Sequence, residues 1–158
     1  RVMIPGAVQN DQPLFIQVVT RESTGGSACG GGYQSQGYFN WPAGARFLSG
    51  YDFGQDGHNG IDISAPEGTS VWAADNGVVT QVQGGWNYGY GNVVQIDHGN
   101  GFVTIYAHLS VISVAQCQSI SAGAPIGAAG NTGNSQGAHL HFEIRQGGSP
   151  INPWLLLQ

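Results

Sequence analysis

Lysine is absent from this chain, and arginine occurs only as Arg1, Arg21, Arg46 and Arg145, against nine acidic residues. A net charge of -5 leaves no cationic field with which to hold a polyphosphate, so nucleic acid is excluded as an expected partner. Long apolar runs are missing too: none approaches the roughly 20 residues that cross a bilayer, so no membrane span is expected. Arg1 opens no charged-then-apolar leader, and the expectation is a soluble segment trimmed from something longer. Cysteine is limited to Cys29 and Cys117, without the Cys-x-x-Cys grouping of a zinc knuckle or a redox site. The two can pair as a disulfide, which would suit an extracellular or periplasmic protein.

What is abundant is glycine, at 27 of 158 residues, alongside Val, Ile, Thr and aromatic residues. That mixture favours short strands joined by tight turns, so a mainly β, antiparallel domain is expected. The length suits one core. Residues 1–40 read as an N-terminal extension, with one strand over 14–20 and a Gly/Ser-rich loop over 23–37, and residues 41–158 as the domain proper. Asp75-Asn76-Gly77, between β-prone runs over 70–74 and 77–82, predicts a hairpin. A second hairpin is predicted from strands over 92–97 and 102–108, with His98 solvated in its turn. Strict alternation along 102–108 sets Phe102, Thr104, Tyr106 and His108 on one face, opposite Val103, Ile105 and Ala107. Further short strands are expected over 114–120 and 124–127.

Chemistry concentrates in the histidines. In Ala138-His139-Leu140-His141-Phe142-Glu143-Ile144 the two imidazoles lie one residue apart, so on a strand both point to the same side. A shared metal explains such a pair; the alternative is an exposed polar strand face. In His58-Asn59-Gly60-Ile61-Asp62 the even spacing again aligns an imidazole with a carboxylate, with Gly60 leaving room for a bound atom. Here the alternative is that Asp62 merely orients His58 at a surface turn. Glu143 shares the face of His139 and His141 and reads as a hydrogen-bond partner for one of them. Trp86 and Tyr88, spaced by glycines in a loop, either line a groove for substrate or cap the core.

Taken in order, His58-Asn59-Gly60-Ile61-Asp62-Ile63, Tyr106-Ala107-His108-Leu109-Ser110 and Gly137-Ala138-His139-Leu140-His141-Phe142-Glu143 resemble the lysostaphin-type M23 zinc endopeptidases of bacterial cell walls. The resemblance runs over about 41–156 and includes Ala65-Pro66-Glu67-Gly68-Thr69 and Asn152-Pro153. It implies a compact antiparallel β-sheet or sandwich with long loops around a zinc groove. By motif position it implies one zinc ion held by His58, Asp62 and His141, with His108 and His139 beside the open coordination position. Two imidazoles, a carboxylate and a water are the donor set of a catalytic zinc site. No His-Glu-x-x-His motif is present, so His108 and His139 are expected to share the roles of base and oxyanion partner. The sequence does not divide those roles, nor does it choose between D-alanyl and glycyl crosslinks of peptidoglycan as substrate. Tyr51, in a Ser-Gly-Tyr phrase that the family shares, is expected at the groove. Cys117 stands where the family has a turn glycine, which makes a tether to Cys29 plausible. A monomer located outside the cytoplasm, in the wall or periplasm, completes the expectation.

Two other classes fit parts of this pattern. A non-catalytic wall-binding or activator domain of the same fold would need none of the five site residues, and all five are present. A histidine phosphocarrier would need neither Asp62 nor so many imidazoles.

Overall fold

The computed structural model describes Cys29 and residues 34–158; the strand expected over 14–20 lies outside the described residues. Among the described residues nine strands follow one another: β1 (Ile61–Ser64), β2 (Ser70–Trp72), β3 (Gly77–Gln83), β4 (Asn92–Asp97), β5 (Phe102–Ile112), β6 (Ser119–Ile120), β7 (Pro125–Ala129), β8 (His139–Gln146) and β9 (Ser149–Ile151). All their pairings are antiparallel. The sheet runs β9-β8-β5-β4-β3-β6. β1 also pairs with β8, and β7 joins the short β2 to the far half of β5.

Period-two alternation decides which side chains enter the core. Leu140, Phe142 and Ile144 of β8 pack with Ile61 and Ile63 of β1 and with Val94, Ile96 and Tyr106, all fully buried. The intervening residues of β8, His139, His141, Glu143 and Arg145, therefore share the opposite face. The β4–β5 hairpin forms in the expected place, with Asp97 opposite Val103 and Val94 opposite Tyr106.

The Asn-Gly hairpin does not form. β2 pairs with β7, while β3 pairs with β4 and β6. The turn is a buried hub instead of a solvent loop: the Asp75 carboxylate accepts from the Gln36 and Asn76 amides, and the Asn76 side chain accepts from the Ala122 amide. Gly77 is needed for a different reason than the turn, since a Cβ there would collide with the Asp97 carbonyl of β4.

His98 is structural but not solvated. It is fully buried, with its ring nitrogens 2.7 Å from the Asn76 carbonyl and 2.8 Å from the Thr104 hydroxyl. Burial pushes its pKa down, against the opposing pull of the Asn76 carbonyl, Asp75 and Asp97. The strand expected over 114–120 shrinks to Ser119–Ile120. Cys29 and Cys117 form a disulfide spanning 88 residues. Phe39, before the expected domain start, is buried in the core, and its backbone bridges Leu157.

Candidate metal centre

β1 and β8 set Asp62 opposite His141 and Ser64 opposite His139. Their pairing brings Asp62 and His141 to one face because Ile61 and Ile63, on the other, belong to the core. His58 is not on the strand. It follows the short turn Gln55–Gly57, where Gly54, Asp56 and Gly57 all have positive φ, and its amide closes that turn on the Gln55 carbonyl at 2.9 Å. Gly60 does not leave space for an ion: a Cβ there would strike the Phe142 carbonyl and Cγ of Glu143, so glycine lets β1 lie against β8.

Three imidazoles converge on one carboxylate oxygen. Oδ1 of Asp62 lies 3.3 Å from His58 Nε2, 3.4 Å from His139 Nε2 and 3.0 Å from His141 Nδ1. Oδ2 accepts from the Tyr51 amide at 3.0 Å. Burial works against the charge on Asp62, but the surrounding imidazoles of His139, His141 and His58 hold its carboxyl well below the usual range. Donor atoms of His58, Asp62 and His141 all lie within 4.8 Å of one another, the spacing of ligands around a single cation.

The tautomers sharpen this. Glu143 is fully buried, and both Nε and a terminal nitrogen of Arg145 end on its Oε1. Burial opposes ionisation of Glu143, yet Arg145 and His141 hold its pKa down to about 2. An ionised carboxylate only accepts. His141 Nε2, 2.7 Å from Glu143 Oε2, must then carry the hydrogen. That turns the Nδ1 lone pair of neutral His141 toward Asp62. The same holds for His139, whose Nδ1–H donates to the Gly137 carbonyl at 2.7 Å and whose Nε2 faces Asp62. Lone pairs aimed at an anion require positive charge between them. Without a cation, a proton fills that need: burial lowers the pKa of His141, but Asp62 and Glu143 outweigh it and lift it to about 9.

His108 reaches the cluster by breaking the strand rule. Alternation alone would send it to the side of Thr104 and Tyr106, which face the core; its φ of +62° turns the ring over to the site. Its ring lies 4.8 Å from that of His139 and 5.8 Å from that of His141. The sequence reading of its facing is thereby corrected: His108 shares the side of Ala107, not that of Tyr106. Its Nδ1–H donates to the Thr132 carbonyl at 2.7 Å, leaving the Nε2 lone pair for chemistry. Burial first, then the nearby His141 and His139, push its pKa down to about 3.

Two loops frame the centre. Gly84 to Gly91 carries Trp86 and Tyr88, both about two-thirds exposed, with Tyr88 at φ +56°. The aromatic of that loop that reaches inward is Tyr90, whose ring lies 5.7 Å from that of His141. The other loop, 130–138, meets the first backbone to backbone. The Asn134 amide donates to the Gly89 carbonyl at 2.8 Å, and a Cβ at Gly133 would strike the backbone of Gly89 and Gly91. Tyr51 stands on another side of the cluster, half-exposed, with its ring 5.6 Å from that of His58.

Sequence reasoning missed Tyr90, Arg145 and the carbonyls of Thr132 and Gly137. Arg145 had a signal, since it shares the period-two face of Glu143 and His141; a main-chain carbonyl has none.

An antiparallel β-domain with imidazole and carboxylate donors gathered where two strands pair is of the class built to hold a metal ion. Peptidase family M23 matches residues 56–153, and the chain belongs to that family. The DD-carboxypeptidase/endopeptidase Mpg of Neisseria meningitidis is 51% identical over 96 residues, covering 61% of this chain and 22% of Mpg. The murein hydrolase activator NlpD of Salmonella typhimurium is 34% identical over 115 residues, covering 73% of this chain and 30% of that protein. The chain thus spans only about a quarter of the length of these relatives. Among solved structures, a zinc-containing peptidase from Vibrio cholerae superposes with a TM-score of 0.64 at 31% identity, over 73% of this chain and 39% of that one.

Proposed function

We propose that this chain is a zinc-dependent endopeptidase that hydrolyses peptide crosslinks of bacterial peptidoglycan. The observation that carries this reading is the convergence of the donor atoms of His58, Asp62 and His141 within 4.8 Å of one another, with His139 Nε2 3.4 Å from the same carboxylate. His58, Asp62 and His141 would hold the ion. Bound there, zinc would polarise a scissile carbonyl and acidify a water. The chain's own residues supply the proton handling. His108 and His139 each spend Nδ1–H on a main-chain carbonyl, so each offers a fixed Nε2. One accepts the proton of the attacking water and passes it to the leaving amine. The other, when protonated, donates to the developing oxyanion. Tyr51, Trp86 and Tyr88 are the proposed contacts for the substrate peptide.

Residues 41–158 are read as the peptidase unit, working as a monomer, with 1–40 as an extension. A disulfide fits an extracellular, wall or periplasmic location. The similarity to a protein named as a murein hydrolase activator supports a second reading, that of an activator acting by contact alone. The deciding experiment is release of new amino termini from purified peptidoglycan by zinc-loaded protein, with and without a chelator. Chelator-sensitive release is expected, and the residue exposed names the bond. No release from walls of several chemotypes, with zinc bound stoichiometrically, would favour the activator.

A further inference from the structure

A ring that ligates a metal through one nitrogen must be fixed at the other, or it turns away from the ion. For His141 that fixing group is the Glu143 carboxylate, 2.7 Å from Nε2. A carboxylate can rotate about its own last bond, however, and nothing in His141 stops it. The restraint comes from behind. Arg145 sets two nitrogens, at 2.8 and 2.7 Å, on Oε1. The Tyr90 hydroxyl donates to Oε2 at 2.7 Å and itself accepts from Arg145 at 3.2 Å. These bonds close a ring of Arg145, Tyr90 and Glu143 that leaves one direction of Oε2 for His141. Tyr90 has a further hold, because its main-chain carbonyl accepts the His108 amide at 2.8 Å.

We propose that Arg145 and Tyr90 are positioning residues for His141, acting through Glu143 to keep its Nδ1 turned to the ion; this rests on the metal reading of His58, Asp62 and His141. The guanidinium suits the task because its rigid fork puts two nitrogens on Oε1 and reaches the Tyr90 hydroxyl that holds Oε2, an arrangement that a single lysine ammonium does not match. Neither residue belongs to the group of donors that would hold the ion, so the role assigned to both is orientation.

The test is zinc affinity of the 158-residue chain, measured by competition with a chromogenic chelator, with the visible spectrum of the cobalt-substituted protein as a second readout. Arg145→Met is expected to weaken zinc binding about 10- to 100-fold, Tyr90→Phe by a smaller factor, and Arg145→Lys to an intermediate degree. In a Glu143→Ala background neither Arg145→Met nor Tyr90→Phe should weaken it further, because the path runs through that carboxylate. The cobalt spectrum should shift in each single variant. Equal weakening in both backgrounds would mean a merely structural role and would overturn the proposal, as would wild-type affinity in Tyr90→Phe and Arg145→Met. If Arg145→Met does not fold, Tyr90→Phe, which removes a single oxygen, reads the same network. Absence of zinc binding by the wild-type chain would overturn the metal reading itself, and is thereby distinguishable.

Discussion

Gly60→Ala adds one methyl at a point where β1 crosses the backbone of β8. Two of the three nearest atoms that the new Cβ would meet are the carbonyl oxygen and carbon of Phe142, and the third is Cγ of the buried Glu143. Backbone atoms inside a paired strand cannot rotate aside, so the strands themselves must part. Overpacking of this kind costs about 1–3 kcal/mol, and the rigid neighbours put this site in the upper half of that range. For a domain of this size that corresponds to a fall in melting temperature of roughly 4–12 °C. Gly44→Ala is the control: nothing lies within 4 Å of a Cβ there, and its backbone is not in the left-handed region. It is expected to be neutral or slightly stabilising. Urea unfolding with a chelator present reads both variants. Because parting the strands also moves Asp62 from His141, zinc affinity should fall with stability in Gly60→Ala. Unfolding within about 0.3 kcal/mol of wild type, a difference within the usual error of additivity, would refute the close-approach account of this glycine.

His108→Ala should retain zinc while losing turnover by about 100- to 10,000-fold, the usual span for a lost general acid or base. Metal content and peptidoglycan cleavage measured on the same sample check this. Asp62→Ala and His141→Ala should instead lose the metal, seen as metal content after dialysis. Burial lowers the pKa of His98 in the folded state, so the unfolded state takes up its proton first. The associated stability is complete above about pH 6.5 and declines as the pH falls below it, by up to about 1.4 kcal/mol per unit. Unfolding titrations of metal-free protein from pH 7.5 to 5 should show this slope, reduced in His98→Gln. Replacing both Cys29 and Cys117 by serine opens a loop of 88 residues and should cost about 2–4 kcal/mol, read by urea unfolding.

Much of this architecture was legible because period-two alternation is a strong local signal where one face is buried. β8 is the clearest case: His139, His141, Glu143 and Arg145 fall on one side because Leu140, Phe142 and Ile144 fill the other. The failures share a cause. Alternation misassigns His108 because a single left-handed residue reverses the facing, and a histidine adopts that conformation too seldom to be read from sequence. Asp75-Asn76-Gly77 misled because its polar groups are claimed by Gln36, Ala122 and His98, partners far away in sequence. Gly60, between a histidine and an aspartate, suggests room for a bound atom, whereas its smallness serves a strand crossing that only the tertiary pairing creates. Tyr90 is indistinguishable in sequence from its exposed neighbours Trp86 and Tyr88, because the loop's glycines give no indication of which ring turns inward.

The glycine contact between the loops over 84–91 and 130–138 has a consequence for how this scaffold can diversify. Gly91 packs on the backbone and hydroxyl of Thr132, and Gly133 on the backbone of Gly89 and Gly91, so there is little flexible side chain between the loops to absorb a change in length. An insertion in one loop would prise its partner from beneath His108, whose ring hangs on the Thr132 carbonyl. The two loops therefore behave as one mechanical unit, in which a change of length in either moves the other. Side chains that point outward from this contact, such as the exposed Trp86 and Tyr88, can change without disturbing it, whereas a chimaera that borrows either loop from a relative must borrow both.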